Sequence, residues 1–414
     1  MFDKRKLIFH IDVNSAYLSW EAIYRLYHGE NLDIRTVPSV IGGSEKDRHG
    51  IILAASYPAK KYGIKTGETI FTAKKKYPDL LVLPTRGEIY EQASQSLMDL
   101  LSEYSDNVQK YSIDEAFIDF SDNQKILDNP YAAGEEIRTR IEQELGFTVC
   151  VGIGENKVMA KMAGELKKPN YTNTLFDNEI YKLWNLPVGE LFMVGKSTEE
   201  KLLKYGIDTV GKLAKTDISF LQQLFHSHGN VIWNYANGVD TSNVKKERAS
   251  AKSCGHSTTL PFDLSDVEEA KIIFMGLIEK VCTRLRKSKQ VGSVVTVSVK
   301  DTNRKSTTHQ KKLTFKTNDS RQIFKVVMDI FTEVWKREPL RAIGVSLGHL
   351  EPCFDSQISL FDVNYDKKNI LNKTIDDIRL KYGKNKVVFA NQLNSHYYRN
   401  KTSKDFLQNL NINF

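Results

Sequence analysis

Apolar residues run almost unbroken from Leu7 to Asp12, which predicts a buried strand, and then recur at helical spacing from Ser15 to Tyr27. From Thr36 to Lys76 the pattern changes. That stretch carries Gly42, Gly43, Gly50, Gly63 and Gly67 among short β-type runs, so it reads as a small irregular insertion. Beyond it the pattern predicts a helix over Ile89–Tyr104, strands over Val108–Tyr111 and Ala116–Phe120 joined by the turn Ser112–Glu115, a helix over Tyr131–Leu145, a strand over Phe147–Ile153 and a helix over Asn156–Leu166. With the insertion set aside the order is βαββαβ, the split pattern of ferredoxin-like sheets. Leu186–Asn237 has no strand-like run, and Gly189, Gly195, Gly206 and Gly211 punctuate it into a small helical domain. After a polar linker the first pattern repeats: strand Ser253–Thr259, helix Ser265–Lys287, strands Gly292–Lys300 and Lys311–Lys316, helix Asp319–Arg337, strand Ala342–Leu350. Here Val295, Val297 and Val299 alternate with Thr296 and Ser298, which predicts a sheet with one buried face and one accessible, basic face. The chain after Asp355 is polar. It predicts one amphipathic helix over Ile375–Tyr382 in a largely mobile tail.

Length and composition narrow the class. A chain of 414 residues exceeds one core and predicts two to four domains, since domains run to about 100–200 residues. No segment approaches the roughly 20 apolar residues of a membrane span, and the N-terminus has no signal-peptide core, so a cytoplasmic protein with no membrane partner is expected. The four cysteines, Cys150, Cys254, Cys282 and Cys353, lie far apart without a Cys-x-x-Cys pair, which predicts reduced and mostly buried thiols. His226 and His228 lack cysteine or acidic company at metal-ligand spacing. The net charge of +8 is unevenly placed: Asn243–Asp355 holds 21 Lys and Arg against 13 Asp and Glu, which accounts for all of it. A basic field confined to one segment suits a polyanion.

Asp12 ends the first strand, and Asp114 with Glu115 sits in the turn of the strand pair. Neighbouring strands would bring these carboxylates together, and their mutual repulsion calls for a divalent cation, Mg²⁺ where every ligand is oxygen. Two such ions about 4 Å apart serve phosphoryl transfer. Lys157, Lys161 and Lys168 are spaced by four and seven, nearly one helix face, from which Lys161 and Lys168 reach an anionic substrate. Gly195-Lys196-Ser197-Thr198 suggests a P-loop, but the position of its first glycine holds Glu190, and an ATPase is rejected.

The residues around these acids resemble a known family. Ile11-Asp-Val-Asn-Ser-Ala-Tyr17 and Ser112-Ile-Asp-Glu-Ala-Phe-Ile-Asp119 resemble the two catalytic motifs of Y-family (translesion) DNA polymerases, especially the UmuC-like bacterial branch, with Asn14 where the DinB-like branch usually has an acid. Pro38–Gly43 and Ala54–Ile64 resemble the family's fingers, and Gly152–Ala163 with Lys168-Pro169-Asn170 its last palm motif. The resemblance implies an α+β multidomain, right-hand-like polymerase: a βαββαβ palm (1–30 and 78–172), small fingers (31–77), a helical thumb (173–242), a linker (243–251), a second βαββαβ little finger (252–353), and a C-terminal tail (354–414). It implies that Asp12 and Asp114 bridge two Mg²⁺ ions, Val13 lends its carbonyl, and Glu115 assists the ion that activates the primer 3′-hydroxyl. Tyr17 falls at the ring that collides with a ribose 2′-hydroxyl. Tyr57, Lys60, Lys161 and Lys168 would hold the incoming deoxynucleoside triphosphate, Lys60 standing where the family often has arginine. Gly195 and Lys196 match the thumb's helix-hairpin-helix turn. Lys300, Arg304, Lys305, Lys311 and Lys312 would grip the backbone of primer–template DNA. Gln357-Ile-Ser-Leu360-Phe361 resembles the peptide by which bacterial polymerases dock on the sliding clamp, with Gln357, Leu360 and Phe361 as its determinants. An accessory subunit, as in the UmuC-like branch, is a further partner the resemblance raises.

Damaged-DNA bypass is the activity so implied. A nucleotide cyclase on the same sheet would leave the second sheet and the clamp-like peptide without a purpose. A non-catalytic DNA- and clamp-binding regulator that retains the fold is the alternative, and the cost of an idle acidic cluster weighs against it.

Overall fold

The computed structural model describes residues 6–43, 50–246, 250–353 and 365–383, and, of the stretch from 384 to 398, residues 386–388, 390, 392, 395, 397 and 398. It forms two compact units that part near residue 250.

In the first unit, β1 (Ile8–Val13) leads through α1 (Ala16–Tyr27) into the insertion, which contains β2 (Ser39–Gly42), β3 (Ile52–Ala55), α2 (Tyr57–Lys61), α3 (Ile70–Lys76) and β4 (Leu81–Leu83). The chain returns by α4 (Gly87–Ser102), β5 (Val108–Lys110), β6 (Glu115–Asp119), α5 (Gln124–Asp128), α6 (Pro130–Leu145), β7 (Val149–Gly154), α7 (Lys157–Leu166) and β8 (Thr172–Leu175). The main sheet has the order β5-β6-β1-β7-β8, so β1 is central, antiparallel to both neighbours. Alternation along β1 divides its side chains between two covered faces. Phe9, Ile11 and Val13 join a core with Leu18 and Trp20 of α1, Leu97 of α4 and Ile137 of α6. His10 and Asp12 point the other way, toward α7. That helix approaches closely because Gly152 has no side chain: a Cβ there would lie 2.0 Å from the Ala160 carbonyl oxygen and 2.4 Å from the Gly164 amide nitrogen.

Two strands escape the sequence pattern. β8 pairs parallel to β7, but Thr-Asn-Thr-Leu shows no apolar alternation. β4 pairs with β2 to complete the insertion's sheet, order β3-β2-β4. The insertion therefore runs past residue 77 to Leu83, and its last strand is a three-residue run too short to read. The short helices α8 (Ile180–Trp184), α9 (Lys196–Lys204), α10 (Val210–Lys215), α11 (Ile218–Phe225) and α12 (Ser227–Ala236) share a core with the outer face of α7.

The second unit contains β9 (Ser253–Leu264), α13 (Val267–Lys287), β10 (Gln290–Asp301), β11 (Ser306–Thr317), α14 (Ser320–Val334), β12 (Leu340–Gly348), β13 (Glu351–Pro352) and α15 (Tyr365–Tyr382). Its element order is again βαββαβ, yet its sheet runs β11-β10-β12-β9 and puts the first strand at an edge. Val295, Val297 and Val299 are buried under α13 and α14. The opposite face is largely hydroxyl and glycine: Thr296 and Ser298 stand level with Ser346 and Gly344 on β12 and with Gln310 and Thr308 on β11. The cations of this face, Lys300 and Lys312, stand toward its two ends, and Arg304 and Lys305 lie in the adjoining turn.

Within the tail, α15 begins well before the predicted 375–382 segment and is docked on α13. Asp376 of α15 accepts hydrogen bonds from Arg286 Nε (2.6 Å) and Thr283 Oγ (3.0 Å), and Arg379 donates to the buried Glu279 (3.1 Å). The docking is ionic, so hydrophobic periodicity did not reveal it. Of the cysteines, Cys150 and Cys282 are buried and Cys353 is exposed.

Candidate active site

Antiparallel pairing sets Asp12 opposite Glu115 across β1 and β6, so both carboxylates leave the sheet on the α7 side. Asp114 precedes Glu115 in the turn, and its carbonyl accepts the Val13 amide at 3.1 Å, which ties that turn to the end of β1. Each acid has a local partner. Lys161 on α7 donates to Glu115 at 2.9 Å, Lys168 donates to Asp12 and, at 2.7 Å, to Glu165, and the Ser112 hydroxyl donates to Asp114. Lys168 lies just beyond the end of α7 rather than on one helix face with Lys157 and Lys161, and reaches Asp12 from the following loop.

Burial raises the Asp12 carboxyl above its ordinary range, against the pull of the Lys168 ammonium. At Glu115 burial acts in the same direction, but the adjacent His10 ring and the charge of Lys161 outweigh it and hold the group at about 2. Behind Glu115 lies His10, 1% exposed, with Nε2 3.6 Å from Glu115 Oε2. Burial lowers its pKa. The sequence signal for His10 was a lone imidazole inside an apolar strand two residues before the acid.

The opposite wall comes from the insertion. Ser15 turns the chain in the left-handed region (φ 49°) between β1 and α1, and its hydroxyl accepts a hydrogen bond from Lys60 at 2.9 Å. Lys60 lies 4.2 Å from the centre of the Tyr57 ring, whose hydroxyl reaches Asn14 Oδ1 at 3.4 Å. Burial pushes Tyr57 up to about 12, and the charges of Lys168 and Asp12 act on it as well. Asn14 also donates to the Thr148 hydroxyl at 3.1 Å. Tyr17, partly buried on α1, has its pKa raised by burial and by the charge of Asp114. The fold thus collects Asp12, Val13, Asp114, Glu115, Tyr17, Tyr57, Lys60, Lys161 and Lys168 around the end of β1.

Among the described residues no three His, Cys, Asp or Glu side chains close on one point at metal-ligand geometry, because each carboxylate is turned toward its own lysine or hydroxyl. The donor set still fits a hard cation. It is all oxygen, and the two ammonium groups on Asp12 and Glu115 show that the cluster takes up positive charge.

The other predicted residues lie elsewhere. Gly195 caps α9 and a Cβ on it would meet open space; Lys196 begins the helix, exposed. Lys300 is the next-to-last residue of β10, Arg304 and Lys305 lie in the hairpin connection, and Lys311 and Lys312 are exposed on β11. Gln357, Leu360 and Phe361 lie outside the described residues. No described helix is long and apolar enough to cross a membrane.

A central strand ending in an acid, paired with an acidic turn and faced by a small basic insertion, defines a palm-type nucleotidyltransferase site. The impB/mucB/samB family matches residues 11–165, and its C-terminal domain matches residues 251–360. The DNA polymerase IV of Clostridium acetobutylicum is 48% identical over 385 residues, covering 92% of this chain and 97% of that protein. That of Acetivibrio thermocellus is 37% identical over 386 residues, covering 92% and 95%. A solved Y-family DNA polymerase chimera superposes with a TM-score of 0.70 at 23% identity, covering 84% of this chain and 99% of its own. The chain belongs to the impB/mucB/samB family of Y-family DNA polymerases, and its enzyme class is DNA-directed DNA polymerase.

Proposed function

We propose that this polymerase adds deoxynucleotides to a primer 3′-end opposite damaged template positions, by phosphoryl transfer assisted by two Mg²⁺ ions. The observation that carries the reading is the register of Asp12 opposite Glu115 beside Asp114, with Lys60 and Tyr57 facing them across the turn at Ser15. Asp12, Asp114, Glu115 and the Val13 carbonyl would hold the metal. When bound, Mg²⁺ supplies charge neutralisation of the triphosphate and acidifies the attacking hydroxyl. Lys60 and Lys168 would take phosphate oxygens as point charges, Lys168 leaving Asp12 to do so. Tyr57 would hydrogen-bond the same group, and Lys161 would keep Glu115 ionised. Tyr17 would exclude a 2′-hydroxyl by collision. Primer–template DNA would lie along Gly195, Lys196 and the cations of β10 and β11, and Gln357, Leu360 and Phe361 would dock a sliding clamp, with work in the cytoplasm. The palm comprises the main sheet, the fingers the insertion, the thumb α8–α12, and the little finger the second sheet.

The test is single-nucleotide extension of a primed template with Mg²⁺, comparing the intact protein with Asp114→Ala. Loss of about 10³-fold or more is expected if metal clamping supplies several kcal/mol of the barrier reduction. Equal activity in the two would overturn the metal assignment. No extension by either, with clamp and accessory protein added, would favour the regulator alternative.

A further inference from the structure

We infer that Tyr90, held from below by Glu21, is the positioning residue that fixes the ring of Tyr17 for sugar selection, an inference that rests on the polymerase reading above. Excluding one hydroxyl by collision requires a ring that does not yield, because a gate free to tilt by about 1 Å admits the larger sugar. The χ2 torsion of a tyrosine is broad and does not supply that rigidity by itself. The surroundings of Tyr17 do. Its ring lies against that of Tyr90, with centroids 5.0 Å apart and planes at 35°, and Trp20 meets it edge-on at 6.0 Å.

Tyr90 stands in the first turn of α4, the helix that returns from the insertion, and only 2% of it is exposed. Its hydroxyl points to Glu21 Oε2 at 3.4 Å. Burial pushes the phenol up to about 12, so it remains a donor. Glu21 lies one helical turn after Tyr17 on α1 and is completely buried, its other oxygen held by Arg25 (2.9 Å) and Arg86 (3.3 Å). A buried carboxylate between two guanidinium groups is a poor way to gain stability, since desolvation offsets most of the attraction. What this arrangement does provide is a fixed acceptor under the Tyr90 hydroxyl. Arg86 caps α4 and Arg25 sits on α1, so the same three charges lock the two helices that carry the two rings.

The experiment measures kcat/KM for a deoxynucleotide and its matching ribonucleotide on one primed template, for the intact enzyme, Tyr17→Ala, Tyr90→Leu and Tyr90→Phe. Removing the supporting ring in Tyr90→Leu should lower the deoxy-to-ribo ratio about tenfold, mostly through faster ribonucleotide insertion, and Tyr90→Phe about two- to threefold. A purely structural role would lower both rates together and leave the ratio alone. The inference fails if Tyr17→Ala relaxes selection while both Tyr90 variants keep the intact ratio. Should Tyr90→Leu not melt cooperatively, Tyr90→Phe decides: a shifted ratio supports the support role and an unchanged one refutes it. An unchanged ratio in Tyr17→Ala would sink the gate assignment, and Tyr90 with it, whereas extension of the primer tests the polymerase reading separately.

Discussion

Lys60 makes the finest distinction among the site residues. A guanidinium at this position would grip two phosphate oxygens at once, whereas an ammonium acts as a compact point charge. Its 2.9 Å hydrogen bond to Ser15 aims that charge at the turn after β1. Lys60→Ala should raise KM for the deoxynucleotide about tenfold with a smaller change in kcat, while Lys60→Arg keeps KM within about threefold; steady-state insertion kinetics read both. Gly152 makes a different kind of demand. Its Cβ would meet backbone atoms of α7 at 2.0 and 2.4 Å, and backbone cannot rotate away. Gly152→Ala should therefore cost at least about 3 kcal/mol through forced separation of β7 and α7, seen as a lowered melting temperature or as insoluble protein. The acids and Tyr17 were legible because their neighbours spell recognisable motifs. His10, Ser15 and Tyr90 were not. They act through partners 105, 45 and 69 positions away in the chain, Glu115, Lys60 and Glu21, and no local pattern records such a contact.

At the scale of elements, periodicity located nearly every helix and strand of both βαββαβ segments, yet it could not order the sheets. One element string yields β1 at the centre of the first sheet and β9 at the edge of the second. The difference arises from which strand each crossover helix skips, a choice made by tertiary packing. It matters chemically, because only a central strand has neighbours on both sides to surround a terminal acid. The docking of α15 was hidden for another reason. Its contacts with α13 are a charge network of Glu279, Arg286, Asp376 and Arg379 rather than an apolar stripe. Removing one member strands the others in partial burial. Glu279→Ala leaves Arg286 and Arg379 to share Asp376, and should cost about 3 kcal/mol or more. Urea unfolding followed by fluorescence would show this as a lower midpoint. An unmoved midpoint would mean that the network contributes nothing to holding α15.

Across the whole molecule the decisive quantity is where the charge lies. The excess of +8 falls within Asn243–Asp355, and the structure concentrates part of it on β11 and its turn, while the middle of the open sheet face is hydroxyl and glycine. Hydroxyls and small residues allow close approach of a sugar–phosphate backbone without reading bases, and lysines at the edge supply the counterion release that drives such binding. Binding of the full chain to primer–template should therefore weaken steeply with salt and hardly vary with sequence. Lys311 and Lys312 are both exposed on β11 with no acidic partner among the described residues, but Lys311 stands level with the buried Val295 and Lys312 with Val294, so the two leave opposite faces of the strand and Lys312 is the one on the open face, counting as one neutralised phosphate. Lys312→Ala should reduce the slope of log Kobs against log salt by about one and weaken binding equally on unrelated sequences, and adding Lys311→Ala should change the slope little further. Fluorescence anisotropy titrations at several salt concentrations measure both quantities. At saturating DNA the insertion rate should stay that of the intact enzyme, because the substitution leaves the acids at the end of β1 unchanged. An unchanged salt slope would show that β11 does not meet phosphate, and a change confined to certain sequences would assign it to base recognition instead.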